Sequence, residues 1–276
     1  MRDAANSFCE KIAIVTNDYK SKTTKSEIEM ISLTMLHMGC DKMMSIISLL
    51  NNGIEMNIKS EMLFKESLFS PFSIARSLYE LMLIHHSLFV NTKSKEEMGI
   101  LLDLWKIKGY TQREKCYDET FFNRNPALAR QVIVQKERDK ECINKLVLKV
   151  KESSIYNDCK DQFDHAFKTD KLGYFEIKRN DAKVSLSTIP FGDKDLFCRI
   201  YKDMEGLADI NNDMVYNYLS LNSHPSYISV LQFLHQGTIP QKDLPLESAL
   251  LFVYRMIKSH DYLLHRFLSK NQEIAC

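Results

Sequence analysis

The stretch Ser70-Pro-Phe-Ser-Ile-Ala-Arg-Ser-Leu-Tyr-Glu-Leu-Met-Leu-Ile-His-His-Ser-Leu-Phe89 leaves a chain that contains it few choices. Ser70 suits a helix N-cap, and Pro71 suits the first helical position, where its missing N–H costs nothing. From there the pattern is apolar on nearly every side: Phe72, Ile74, Ala75, Leu78, Tyr79, Leu81, Met82, Leu83, Ile84, Leu88 and Phe89. Such a helix has to be covered all round, so the other elements must wrap it. One strip differs. Ser73, Arg76, Glu80 and Ser87 follow helical spacing along one line. That strip is expected to face protein or a cleft, where an Arg and a Glu need partners or cost several kcal/mol.

The wrapping elements read as helices. Residues 1–22 form a short helix or mixed segment with Phe8, Ile12 and Val15 on one side. A strong helical pattern starts at Ser26 and is closed by Asn51-Asn52-Gly53. Its methionines read as gap-filling core, the alternative being an adaptable binding surface. Glu96 to Lys108 is a further helix and carries Trp105. After the turn signal at Asn123-Arg-Asn-Pro126, residues 127–167 give a charged, amphipathic outer helix or helical hairpin with a thin apolar line: Val132, Ile143, Leu146, Val147 and Val150. Residues 173–190 alternate by two and form a small hairpin or an ordered loop. Helices are predicted again over 195–204, 212–223, 226–236 and 245–269. The fold class is all-α: one multi-helix bundle over 1–276, built around 71–90, with an irregular or β-hairpin insertion near 173–190.

Composition supports this and narrows the function. Only 8 Gly and 6 Pro in 276 residues argue against a turn-rich β architecture. Lys+Arg 37 against Asp+Glu 36 leaves no global basic footprint for nucleic acid. No apolar run reaches the ~18 residues of a membrane span, and the first residues lack a signal-peptide core. The seven cysteines are scattered without a C-x-x-C pair, as reduced thiols are. A cytoplasmic protein, without membrane contact, is the expectation.

A second stretch, Tyr216-Asn-Tyr-Leu-Ser-Leu-Asn-Ser-His-Pro225, puts Tyr216, Ser220 and His224 four apart on one helical face. His224 falls at a helix C-terminus, where the macrodipole favours imidazolium. If this face meets the Arg76/Glu80 strip, Arg, Glu, Tyr, Ser and His share one cluster. Glu80 or His224 then suits a base and Arg76 an anion stabiliser, or else the same groups only fix helix packing.

The pairing of Ala-Arg-Ser-Leu-x-Glu (75–80) with Tyr-x-x-Leu-Ser-x-x-x-His-Pro (216–225) resembles the bacterial helical family catalogued as domain of unknown function 5677. The likeness spans roughly 30–236, and its specific part is these two motifs. The resemblance implies an all-helical fold, a distant kinship to HEPN-like domains, and polar positions at Arg76, Glu80, Tyr216, Ser220 and His224. By the same analogy it implies a homodimer and a binding or interaction module of a bacterial defence or mobile-element system, with a protein or RNA as partner. The alternative it implies is a metal-independent ribonuclease using either Arg255 and His260 or the Arg76/His224 cluster. HEPN ribonucleases carry an Arg and a His a few residues apart, and Arg255-Met-Ile-Lys-Ser-His260 has that form. The competing reading is an amphipathic C-terminal helix.

No other constellation carries chemistry. There is no E-x-x-H for a di-iron bundle, no H-E-x-x-H and no glycine-rich phosphate loop, so neither a metal nor a cofactor is expected. His85 and His86 point about 100° apart and read as a core and an interface histidine. Lys168, Lys171, Lys178, Arg179 and Lys183 make a local basic patch that reads as a solvated loop.

Overall fold

In the computed structural model the apolar 70–89 stretch is helical, starting two residues before the expected first turn. The structure describes residues 1–52, 54–58, 61–65, 69–116, 126–168, 174–180, 183–189, 217, 219–220 and 244–273. The helices expected over 195–204 and 226–236 lie outside these, as does most of 212–223. The described part is 85% helical, with eight helices and small antiparallel hairpins, which makes the fold all-α with a hairpin insertion. It divides into two compact units: residues 1–86 with 190–276, and residues 87–189.

The first unit holds α1 (Arg2–Ser21), α2 (Glu27–Asn52), a hairpin of β1 (Ile54–Ile58) and β2 (Glu61–Lys65), α3 (Phe69–His85) and α8 (Leu244–Glu273). The hairpin is antiparallel, in register from Ile54 opposite Lys65 to Ile58 opposite Glu61. The α3 helix packs on α2 and α8, and α1 on α2 and α8. Ala5, Phe8, Ile12 and Tyr19 recur at helical spacing and are the buried side of α1. The Tyr19 hydroxyl donates to the Ser26 carbonyl at 2.9 Å and so closes the α1–α2 turn. The Lys11 ammonium meets both Asp261 carboxylate oxygens at 2.8 Å, tying α1 to α8.

The methionines of α2 divide. Met35 and Met43 are core, whereas Met30, Met38 and Met44 are exposed. Only the first two fill gaps.

Two histidines lie inside this unit. The His85 ring sits edge-on to Phe267, with Nε2 and the Ser32 hydroxyl 2.8 Å apart. The His260 ring sits edge-on to Phe8, and its Nδ1 donates to the Met256 carbonyl at 2.8 Å. Gly39 on α2 makes room for that ring. A Cβ there would stand 2.9 Å from His260 Cδ2 and 3.1 Å from Nε2. Alanine favours an α-helix over glycine by about 1 kcal/mol, but crowding a close-packed core costs about 1–3 kcal/mol. Because His260 is buried and held to the backbone, Gly39→Ala is expected to lower the melting temperature despite the gain in propensity. A melting temperature raised by the substitution would show that the ring yields freely.

A π-helical turn at His86–Val90, a single widened turn of the kind seen inside α-helices, carries the chain into the second unit. This unit contains α4 (Lys95–Lys115), α5 (Pro126–Lys151), α6 (Ser154–Asp158), α7 (Lys160–Lys168) and a hairpin of β3 (Phe175–Asn180) and β4 (Lys183–Thr188). Ser94 caps α4: its hydroxyl accepts from Glu97 N–H at 3.2 Å, while Glu97 reaches back to Lys93 N–H at 2.6 Å. The outer stretch 127–167 breaks into three helices, because Ser153 and Cys159 interrupt it and Ser153 caps α6. Of the hairpin and the ordered loop left open near 173–190, the hairpin forms, from Phe175 opposite Thr188 to Asn180 opposite Lys183. Ile177 and Leu186 face each other and are buried.

Buried carboxylates of this unit each meet a cation: Asp103 with Lys149 (2.7 Å), Asp139 with Arg113, Glu97 with Arg179, and Glu176 with Lys178 (3.3 Å). The basic patch expected at 168–183 is therefore partly consumed inside the fold, through Lys178 and Arg179.

Candidate functional site

The strip on α3 keeps the spacing read from the sequence. Ser73, Arg76 and Glu80 lie one turn apart and are half-buried, while Phe72, Ala75, Leu78, Tyr79 and Met82 turn into the core. Arg76 Nε donates to Glu80 Oε1 at 3.1 Å, an i,i+4 pair whose side chains are 23% and 33% exposed. That exposure screens much of the pair's attraction, so it contributes little to stability. Ser87 departs from the line: it lies in the π turn and is buried.

Two groups that the sequence pattern did not single out join the strip. Lys42 on α2 donates to the Ser77 hydroxyl at 2.7 Å, placing a cation beside Arg76. Ser77 adjoins Arg76 in the sequence and was legible. Lys42 was not, because nothing local tells which residue of α2 reaches α3.

Of the second motif, Ser220 is helical and half-buried. Tyr216 and His224 lie outside the described residues.

Arg255 and His260 share α8, one helical turn and a fraction apart. His260 is wholly enclosed, and burial lowers its pKa to about 4 despite the hydrogen bond to Met256. His85 is lowered to about 3, by burial first and then by its neighbours His260 and His86. Both rings are neutral at pH 7. Since Nδ1 of His260 donates to a carbonyl, the ring is the Nδ1–H tautomer. Arg255 is half-buried, with Nη1 shielded and without a hydrogen bond among the described residues. The expectation that His85 is a core histidine agrees with its 1% exposure, and His86 is half-buried.

Among the described residues no group of three His, Cys, Asp or Glu side chains could hold a metal ion. No helix among them is long and apolar enough to cross a membrane. Compared with known proteins, the chain matches no family model, no curated protein and no solved structure.

Proposed function

We propose that this chain is a helical interaction module that works by holding a partner rather than by a covalent reaction. The observation that carries the reading is the half-buried strip of Ser73, Arg76, Ser77 and Glu80, with Lys42 at its edge, on a helix whose other faces are core. Charged groups held in place at partial exposure give specificity to a contact without stabilising the fold much. The exposed Met30, Met38 and Met44 on one face of α2 add an adaptable apolar surface in the same unit. The partner is a protein, a second copy of this chain included. A bacterial defence or mobile-element setting enters the proposal through the two motifs alone.

The ribonuclease alternative draws less support. A general base must reach the proton it removes, and His260 is enclosed and hydrogen-bonded to its own helix. Purified protein incubated with total RNA in EDTA is expected to leave the RNA intact. Cleavage abolished by His260→Ala or His224→Ala in a variant that still folds would favour the nuclease instead.

The interaction reading is tested by the double variant Arg76→Ala/Glu80→Ala. Light scattering is expected to show lost self-association, or pull-down lost partner retention, with the melting temperature nearly unchanged. A variant that only melts earlier, with association intact, would make the pair a packing device.

A further inference from the structure

The outward end of α4 carries two adjacent stripes. Trp105, Lys108 and Gln112 follow one line, and Lys106, Tyr110 and Arg113 the next. Tyr174, just before β3, forms the facing wall, and together these side chains and Gly109 line an open cleft of about 320 Å³. Among the described residues three aromatic rings and three cations meet there, and no described carboxylate lines it.

The charges have an order. Among the described residues Lys106 pairs with Asp103 and Arg113 with Asp139, both buried, with Asp139 also accepting from Gln135 at 2.8 Å. Lys108 differs: it forms no ion pair with a described carboxylate, and its ammonium lies 3.7 Å from the centre of the Tyr174 ring. The Arg113 guanidinium lies 5.3 Å from the Tyr110 ring. Burial lowers the Lys108 pKa, the mark of an ammonium that has lost part of its water. Gly109 leaves the floor open, since an added Cβ would meet no atom within 4 Å.

A ligand complementary to these walls needs a flat ring to stack and an anion to take the place of water at Lys108. An acidic peptide supplies the charge without the ring, and an aromatic peptide the ring without the charge. We propose that this cleft binds a nucleotide, with the base stacked against Trp105 and the tyrosines and the phosphate at Lys108. The nucleotide is either free or one unit of a single strand; the recognition chemistry is the same. This site lies on the second unit and is independent of the Arg76/Glu80 strip.

Trp105 is the one tryptophan of the chain, so its emission reports on the cleft directly. The full chain is titrated with adenosine monophosphate, adenosine, inorganic phosphate and a single-stranded oligoadenylate. Saturable quenching by the nucleotide or the oligomer is expected, with adenosine and phosphate each about tenfold weaker or more. Equal affinities per site assign free nucleotide, and an oligomer tighter by about tenfold or more assigns a strand.

Lys108→Glu is expected to weaken binding about tenfold by reversing the charge at the phosphate. Gly109→Glu adds an anion at the cleft from a position where a Cβ meets no atom within 4 Å, and has better helix propensity, so it should lose binding while melting no earlier. Arg76→Ala/Glu80→Ala should quench as the parent does. No saturable quenching by either nucleotide form, quenching kept in both cleft variants, or phosphate binding as tightly as the nucleotide would each overturn the proposal.

Discussion

Lowering the pH from 7 to about 4.5 is expected to strip most of the stability from the first unit. His85 and His260 have folded pKa values of about 3 and about 4, set mainly by burial, against an unfolded value of 6.5. Above pH 6.5 both states hold neutral rings, and neither histidine makes stability depend on pH. Below it the unfolded chain takes up two protons that the fold refuses. Stability then falls as pH drops through the window between 6.5 and about 4, by about 1.4 kcal/mol per pH unit for each ring. Over two pH units that loss is comparable with the whole stability of a small domain, about 5–15 kcal/mol.

Amide hydrogen exchange in α2 and α8, followed against pH, reads this loss where the rings sit. His85→Gln keeps a hydrogen-bonding partner for the Ser32 hydroxyl but takes up no proton, so its slope against pH should fall by about one proton. A melting temperature flat between pH 6.5 and 4.5 would mean that the rings are not enclosed as described.

Replacing Glu97 is expected to damage the second unit more than any surface substitution. Its side chain is 6% exposed, accepts from the Lys93 N–H, and pairs with the Arg179 guanidinium on β3. Glu97→Ala removes the returning half of the capping box and leaves Arg179 without this carboxylate. Breaking a buried pair from one side costs about 3–5 kcal/mol, and a lost cap about 1 kcal/mol. Glu97→Gln keeps the acceptor for Lys93 and loses only the charge, so it should fall between the alanine variant and the parent. Urea unfolding with exchange read at the β3 and β4 amides separates the three proteins. A loss under about 0.5 kcal/mol for alanine would place the pair in effectively solvated surroundings.

Much of the architecture could be read before any coordinates, and the reasons are local. The all-round apolar run at 70–89 admits little but a covered helix. The alternation of Phe175, Ile177, Val184 and Leu186 admits a strand pair or an ordered loop, and the strand pair is what forms. The hairpin at 54–65 escaped the reading although Ile54, Met56 and Ile58 alternate with Glu55 and Asn57. Five residues of period two are easily lost beside a long helical pattern.

The environment of His260 was less legible still. Its spacing from Arg255 looks like chemistry, but Gly39 and Phe8, far away in the chain, decide that the ring is enclosed. The Met30, Met38 and Met44 face was hidden for the opposite reason. A helix rich in apolar residues on every side does not reveal which side finds a partner. The Trp105 cleft had a signal in Trp105-Lys-Ile-Lys-Gly-Tyr-Thr-Gln-Arg113, where rings and cations interleave on neighbouring turns.

The first unit is discontinuous, with α8 supplying Met256, His260 and Phe267 to a core that α1 began. A ribosome therefore delivers the intervening 87–189 unit whole before the piece that seals the earlier one has been made. Until then Phe8, Gly39 and His85 wait without their covering helix, a nascent-chain state with apolar surface for a chaperone to shield. Ending translation ahead of Leu244 would leave that state permanent.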